Sequence, residues 1–191
     1  MASGNAGKLR EISRILAELD VVVVPQSDFA ISDAEETGAT FAANALIKAR
    51  HAVAGSGLPA IADDSGLVVA ALDGRPGVFS ARYAGPDADD AANIAKLLQE
   101  LQHVPDEQRA AAFHCTACLL MADGSEPVFA TGEWRGVILR APRGSGGFGY
   151  DPVFYDPELQ RSAAELRAAE KDARSHRGKA LRELARRMRA L

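Results

Sequence analysis

The chain has 191 residues, 47% of them hydrophobic and 25% charged, with a formal net charge of −4. That length supports one domain with a sizeable buried core, and the mild acidity argues against the broad basic surface that non-specific nucleic-acid binding needs. No apolar run reaches the ~18 residues of a membrane span and no charged-then-apolar leader opens the chain, so the expectation is a soluble, cytoplasmic protein without a membrane or nucleic-acid partner.

In chain order, residues 7–19 place Leu9, Ile12, Ile15, Leu16 and Leu19 at helical spacing among charged residues. Residues 21–24 read as a short strand of valines closed by Pro25, and residues 27–40 as a polar loop. A second, alanine-rich helix is expected over 41–54, ended by Gly55. Residues 60–64 form a strand ending in acid, and β character resumes at 67–72. A turn-rich loop over 74–85 leads to a helix over 88–101. Two strands, 109–121 and 127–139, meet at an Asp123-Gly124 turn. A glycine-rich loop over 143–157 precedes a helix starting at Ser162, which forms a capping box with Glu165, and a last helix runs from about 175 to 189. Interleaved helices and strands predict an α/β class with a mixed sheet. Cys115 and Cys118 sit three apart in a strand, where they point to opposite faces; they read as buried structural thiols rather than a redox or metal pair.

Ser3-Gly-Asn-Ala-Gly-Lys8 opens the chain with a turn suited to an anion. Its glycines allow close backbone approach, the following helix contributes unpaired N–H groups, and Lys8 adds a charge. It is not a Walker A loop: Gly4 and Gly7 are too close, and Leu9 stands where the metal-binding hydroxyl is needed. Gly144-Ser-Gly-Gly-Phe-Gly149 fits G-x-G-x-x-G, but Tyr150-Asp-Pro152 follows it and proline bars a clean helix entry, so the dinucleotide reading is rejected. A loop carrying Phe148 and Asp151 suits a flat base instead. In Ala62-Asp-Asp-Ser-Gly66 the two carboxylates would point apart in a regular strand, and a turn at Ser65-Gly66 is expected to bring them to one site, where a divalent cation offsets their repulsion. Glu35-Glu36 is a second acidic pair. Each acidic pair taken alone reads equally as solvated turn acids, and Lys48, Lys171, His176 and Arg177 taken singly as surface groups.

Together these pieces resemble the inosine/xanthosine triphosphate pyrophosphatase family. The resemblance rests on S-G-N-A-G-K (3–8), E-E-T-G (35–38), F-A-A-N-A-L-I-K-A (41–49), I-A-D-D-S-G-L (61–67), G-R-P-G-V-F-S-A-R-Y-A-G (74–85), G-G-F-G-Y-D-P-V-F (146–154) and S-H-R-G-K-A-L (175–181), in the family's order across nearly the whole chain. It implies one α/β domain over residues 1–191, with a long mixed sheet, flanking helices and two lobes around a central cleft. It also implies a homodimer and Mg²⁺-dependent hydrolysis of ITP, dITP or XTP to the monophosphate and pyrophosphate.

By the same resemblance Asp64 is the catalytic base, a metal ligand, or both, supported by Asp63. Glu36 is a further metal ligand, with Glu35 as the alternative. Ser3, Gly4, Asn5, Ala6, Gly7, Lys8, Lys48 and Ser65 contact substrate, with the lysines and Lys171 neutralising phosphate. Phe148 stacks on the purine, Gly149 and Tyr150 also contact substrate, and Asp151, His176 and Arg177 read the base edge, Arg177 donating to the C6 carbonyl. The rival readings are a pyrophosphatase for other modified nucleotides and a non-catalytic nucleotide-binding module. The family also carries a strand before the S-G-N motif where this chain has only Met1 and Ala2. The expectation is a missing first strand, from a start assigned too late or a trimmed chain.

Overall fold

The structure is a computed structural model and describes residues 1, 2, 6–17 and 22–189. Helix α1 spans Ala6–Leu16. Ile12 and Leu16, one turn apart, are fully buried while Arg10 and Ser13 face solvent, so the helix lies on its apolar stripe. The expected extension to residue 19 lies outside the described residues. Val22 to Val24 form no strand: Val22 is 90% exposed, and Val24 contributes its carbonyl to the terminal ammonium of Met1 at 2.8 Å. Val21 lies outside the described residues.

Helix α2 spans Phe41–Ser56, and the Thr40 hydroxyl caps it by accepting from the Ala43 N–H at 3.1 Å. Gly55 does not end it; the helix runs on to Ser56 and is capped by Gly57. Ala45, Ala49 and Ala52 on α2 pack against Ala60 and Ala62 of strand β1, Ala60–Val69. Small side chains on both elements bring α2 close to the strand. Ala2 bridges Ala62 in parallel, its N–H donating to Ile61 at 3.0 Å.

The loop over 74–85 contains a 3₁₀ turn, Gly77–Arg82. Helix α3, Asp90–Glu100, starts two residues later than expected because the Asp89 carboxylate caps it, accepting from the Ala92 N–H at 2.7 Å. Strands β2, Ala110–Leu120, and β3, Val128–Ile138, match expectation. The glycine-rich loop gives way to β4, Phe154–Asp156, and β5, Arg161–Ser162. The Ser162–Glu165 capping box forms, but it frames only a 3₁₀ turn, Ala163–Glu165; helix α4 is Ala168–Arg174 and α5 is His176–Met188. The five strands form one sheet in chain order, antiparallel from β3 through β5. The parallel bridge of Ala2 to β1 makes the pairing mixed.

Two compact units are present. The first contains Met1–Asp64, Cys115–Gly132 and Ser175–Leu191; the second contains Ser65–His114 and Glu133–Arg174. In the first, Ile12, Leu16, Leu119, Leu181 and Leu184 form one apolar cluster around Cys115, and the alanines of α2 and β1 form another around Cys118. The two thiols therefore serve different clusters, as strand alternation requires. Both are free, and burial pushes the Cys118 thiol up to about 11. In the second, Trp134 and Phe154 meet nearly edge-on with ring centroids 5.0 Å apart, and Phe113 lies 4.5 Å from Phe154. Asp156, fully buried, accepts from Trp134 Nε1 and Arg174 Nε, both at 2.8 Å.

Candidate active site

β1 runs unbroken through its acidic stretch, so the turn expected at Ser65-Gly66 does not form. Asp63 and Asp64 lie in mid-strand, 1% and 4% exposed, and reach different partners on alternate sides. The strand tolerates two buried carboxylates because cationic groups meet each one.

Asp64 faces α2. Its Oδ1 takes the Lys48 ammonium at 3.1 Å and its Oδ2 accepts from Asn44 Nδ2 at 3.1 Å. Asn44 and Lys48 are four residues apart and share one helix face. Lys48 also pairs with Glu36 Oε1 at 2.6 Å, while Glu35 is exposed. Asn44 is fully buried and accepts from the Gly38 N–H at 2.7 Å, which ties the loop carrying Glu36 to the same helix. Burial raises the Asp64 carboxyl above its ordinary value; Lys48 and Lys8 pull against that shift, and Glu36 adds to it. For Lys48 burial pulls downward, but the charges of Asp64, Asp63 and Glu36 prevail and hold the ammonium charged.

Asp63 faces the other way. Its Oδ2 accepts from Arg177 Nε at 3.2 Å and lies 3.5 Å from the Lys8 ammonium and 3.8 Å from Cys115 Sγ. Burial pushes this carboxyl up, yet Lys8, Arg177 and Lys48 together hold it well below the usual carboxylate range. Arg177, 2% exposed, also pairs with the buried Glu11 one turn beyond Lys8 on α1. Its guanidinium thus joins α1, β1 and the start of α5. The approach of α5 depends on Gly132 in β3: a Cβ there would stand 2.1 Å from the His176 carbonyl oxygen. His176 is buried at the first position of α5, after the Ser175 cap.

The second unit holds the other group of expected residues. The Lys171 ammonium lies 4.6 Å from the centre of the Phe148 ring and pairs with Asp151 Oδ2 at 2.6 Å. The same oxygen accepts from the Phe148 N–H at 2.9 Å, and Asp151 is 3% exposed. Asp151 therefore orients Phe148 and Lys171. Lys171 stands beside the expected base platform, although the sequence reading gave it to phosphate. Gly149 and Tyr150 follow Phe148, and Ser65 is the first residue of this unit on β1.

Lys8, Glu36, Lys48, Asp63, Asp64, His176 and Arg177 belong to the first unit; Ser65, Phe148, Gly149, Tyr150, Asp151 and Lys171 belong to the second. Ala6 and Gly7 lie in the first turn of α1. Ser3, Gly4 and Asn5 lie outside the described residues. Sequence reasoning missed Glu11 and Asn44. Asn44 falls inside the quoted F-A-A-N-A-L-I-K segment one turn before Lys48, a spacing that could have found it.

For a divalent cation, the donor set fits. One ammonium bonds both Glu36 and Asp64, so a single cation can serve both carboxylates, and Mg²⁺ commonly takes one or two carboxylates together with phosphate oxygens and water. Among the described residues no group of three or more His, Cys, Asp or Glu side chains forms a cage of its own. The arrangement therefore suits a metal completed by phosphate.

The sequence pattern of the Ham1 family matches residues 1–187. A dITP/XTP pyrophosphatase of Thioalkalivibrio sulfidiphilus is 54% identical over 189 residues, covering 98% of this chain and 96% of its own length. One from Halorhodospira halophila is 58% identical over 185 residues, covering 96% and 93%. Among solved structures, a HAM1 protein from Coxiella burnetii superposes with a TM-score of 0.91 at 50% identity, covering 100% of this chain and 97% of its own.

Proposed function

Because the chain belongs to the Ham1 family, we propose that it hydrolyses non-standard purine nucleoside triphosphates (ITP, dITP and XTP) to the monophosphate and pyrophosphate. The observation that carries this reading is the Glu36–Lys48–Asp64 cluster, held by Asn44 and with Lys8 on the neighbouring helix. The two lysines neutralise a triphosphate, and the carboxylates stand ready for a water and a cation. The names of the Thioalkalivibrio and Halorhodospira relatives support the choice of dITP and XTP.

In this reading water attacks the α-phosphorus and pyrophosphate leaves. Asp64 orients the water and takes its proton. Lys8 and Lys48 offset the charge that develops on the leaving group. Glu36 and Asp64 would hold Mg²⁺, which supplies further charge neutralisation on the phosphates. Phe148 stacks on the purine. Lys171, a donor beside that ring, satisfies the C6 carbonyl of hypoxanthine or xanthine and is left unpaired by the adenine amine, a form of discrimination that can be steep. This takes over the role expected of Arg177, whose guanidinium is engaged by Glu11 and Asp63. Cytoplasmic placement and a homodimer belong to the same reading. They rest on the resemblance, and no helix among the described residues is long and apolar enough to cross a membrane.

The test is turnover of ITP, dITP, XTP, ATP, GTP and a set of modified pyrimidine and methylated nucleotides with Mg²⁺, with the phosphate product identified. The expected result is pyrophosphate, fastest from the inosine and xanthosine nucleotides. Orthophosphate as the first product overturns the reaction. Preference for the modified pyrimidines overturns the substrate class, and tight ITP binding without turnover makes the protein a binding module.

A further inference from the structure

We propose that Asp90 on α3 is a positioning residue that latches the glycine-rich loop and thereby sets the pose of Phe148 against the purine; this rests on the base-stacking reading of Phe148. The Gly149 N–H, immediately after Phe148, donates to Asp90 Oδ2 at 2.6 Å, a short bond to a charged acceptor. Gly149 has φ +60°, in the left-handed region that glycine adopts without the penalty of a Cβ.

The residues around Gly149 divide into a fixed side and an adjustable side. On the fixed side, the buried Tyr150 donates its hydroxyl to the Ser80 carbonyl at 2.8 Å. The Ser80 hydroxyl accepts from the Leu67 N–H at 2.9 Å and donates to the Gly77 carbonyl at 2.6 Å. This links the loop to the strand residue three positions after Asp64. On the other side, Asp90 and its bond are exposed. Water could solvate both groups at little cost, so the fold does not need this bond. Asp151 already holds the Phe148 N–H from the buried side; what the Asp90 bond adds is a tie at the next peptide, which restrains the loop that carries the Phe148 ring.

The anchor is itself rigid. Asn93, one turn along α3 and 3% exposed, accepts from the Ala84 N–H at 2.8 Å and donates to the Ala81 carbonyl at 3.2 Å. Lys96 donates to the Tyr83 carbonyl at 2.6 Å. At the far end of the helix, Glu100 accepts from Tyr83 at 2.8 Å and from Arg75 at 2.6 Å. The carboxylate at the head of α3 therefore projects from a helix bolted to the 74–85 loop.

The experiment compares the full chain with D90A and D90N by steady-state kinetics on ITP and by hydrogen exchange of peptides covering 144–151 in the nucleotide-free protein. For D90A the expected result is a KM raised roughly five- to tenfold with kcat within about twofold, as partial loss of the stacking of Phe148 on the base predicts. Exchange over 144–151 should be faster and Tm essentially unchanged. D90N keeps an acceptor oxygen and should recover most of the loss. Unchanged exchange in D90A overturns the latch, and faster exchange with an unchanged KM overturns its role in positioning Phe148. A joint fall of kcat and Tm that asparagine does not rescue replaces it with a structural role. If the parent releases no pyrophosphate from ITP, the proposed function fails by itself, and the exchange comparison still decides whether the latch exists.

Discussion

Asp63 and Asp64 are neighbours in sequence with opposite environments. Asp63 is fixed as a carboxylate by Arg177 and Lys8, whereas Asp64 shares Lys48 with Glu36 and has its carboxyl raised by burial. Asp64→Asn is nearly isosteric, and its amide can neither take a proton nor carry the charge. It should lower ITP turnover by roughly 10²- to 10⁴-fold, the usual worth of a general base. Near-native Tm and retained nucleotide binding would accompany the loss. Pyrophosphate release followed with a coupled assay measures this, and turnover near the parent's would remove Asp64 from the chemistry. Asp63→Asn should behave differently. It removes one of the carboxylates that meet the buried Arg177 guanidinium, and its chief effect should be destabilisation of about 3–5 kcal/mol, read as a lowered urea midpoint.

At the scale of elements, β4 and α4 are joined by Asp156, which also holds the one tryptophan of the chain. Burial alone would raise this carboxyl, but the bonds from Arg174 and Trp134 lower it below the ordinary value. A group lowered on folding contributes stability that is present above its unfolded value of about 3.9 and is lost as pH falls through the folded one. Trp134 emission should therefore hold steady from neutral pH down to about 4 and shift red below it, and D156N should give the red shift at a higher pH. An unchanged acid midpoint in D156N would show that this bond set does not govern acid stability. The element scale also shows what could be read in advance. Helices α1, α2 and α5 and strands β2 and β3 followed from apolar spacing and caps, because those signals are local. β1 was misread as broken: D-D-S-G looks like a turn until cations from α1, α2 and α5 are known to lie against it. Glu11 and Asp90 were missed for the same reason, since their partners stand 166 and 59 residues away and no short window of sequence contains both ends of the bond.

At the scale of the whole molecule, neither unit is a continuous piece of chain. The backbone passes from one to the other after Asp64, His114, Gly132 and Arg174, so no single truncation isolates either. Strands β1, β2 and β3 each contribute residues to both, and loss of packing in one unit should be felt in the other. Leu184→Ala empties a fully buried site in the first unit and should cost about 2–5 kcal/mol. Trp134, which belongs to the second, should report the lower urea midpoint in the same single transition as far-UV circular dichroism. Two separated transitions would show that the units unfold independently.

The division of labour between Asp63 and Asp64 is a matter of odd and even. A strand assigns sides by parity, so the property that distinguishes the two acids is their count along β1 rather than their chemistry. Removing or adding one residue anywhere in Ala60–Val69 before the pair would exchange their partners, and a change just after it would turn Leu67 and Val69 away from the core they fill. Length changes of this kind should be disruptive in β1 and tolerated in the exposed turn around Gly124. Across descendants of this chain, the spacing within that ten-residue strand should therefore drift more slowly than the identity of most residues in it.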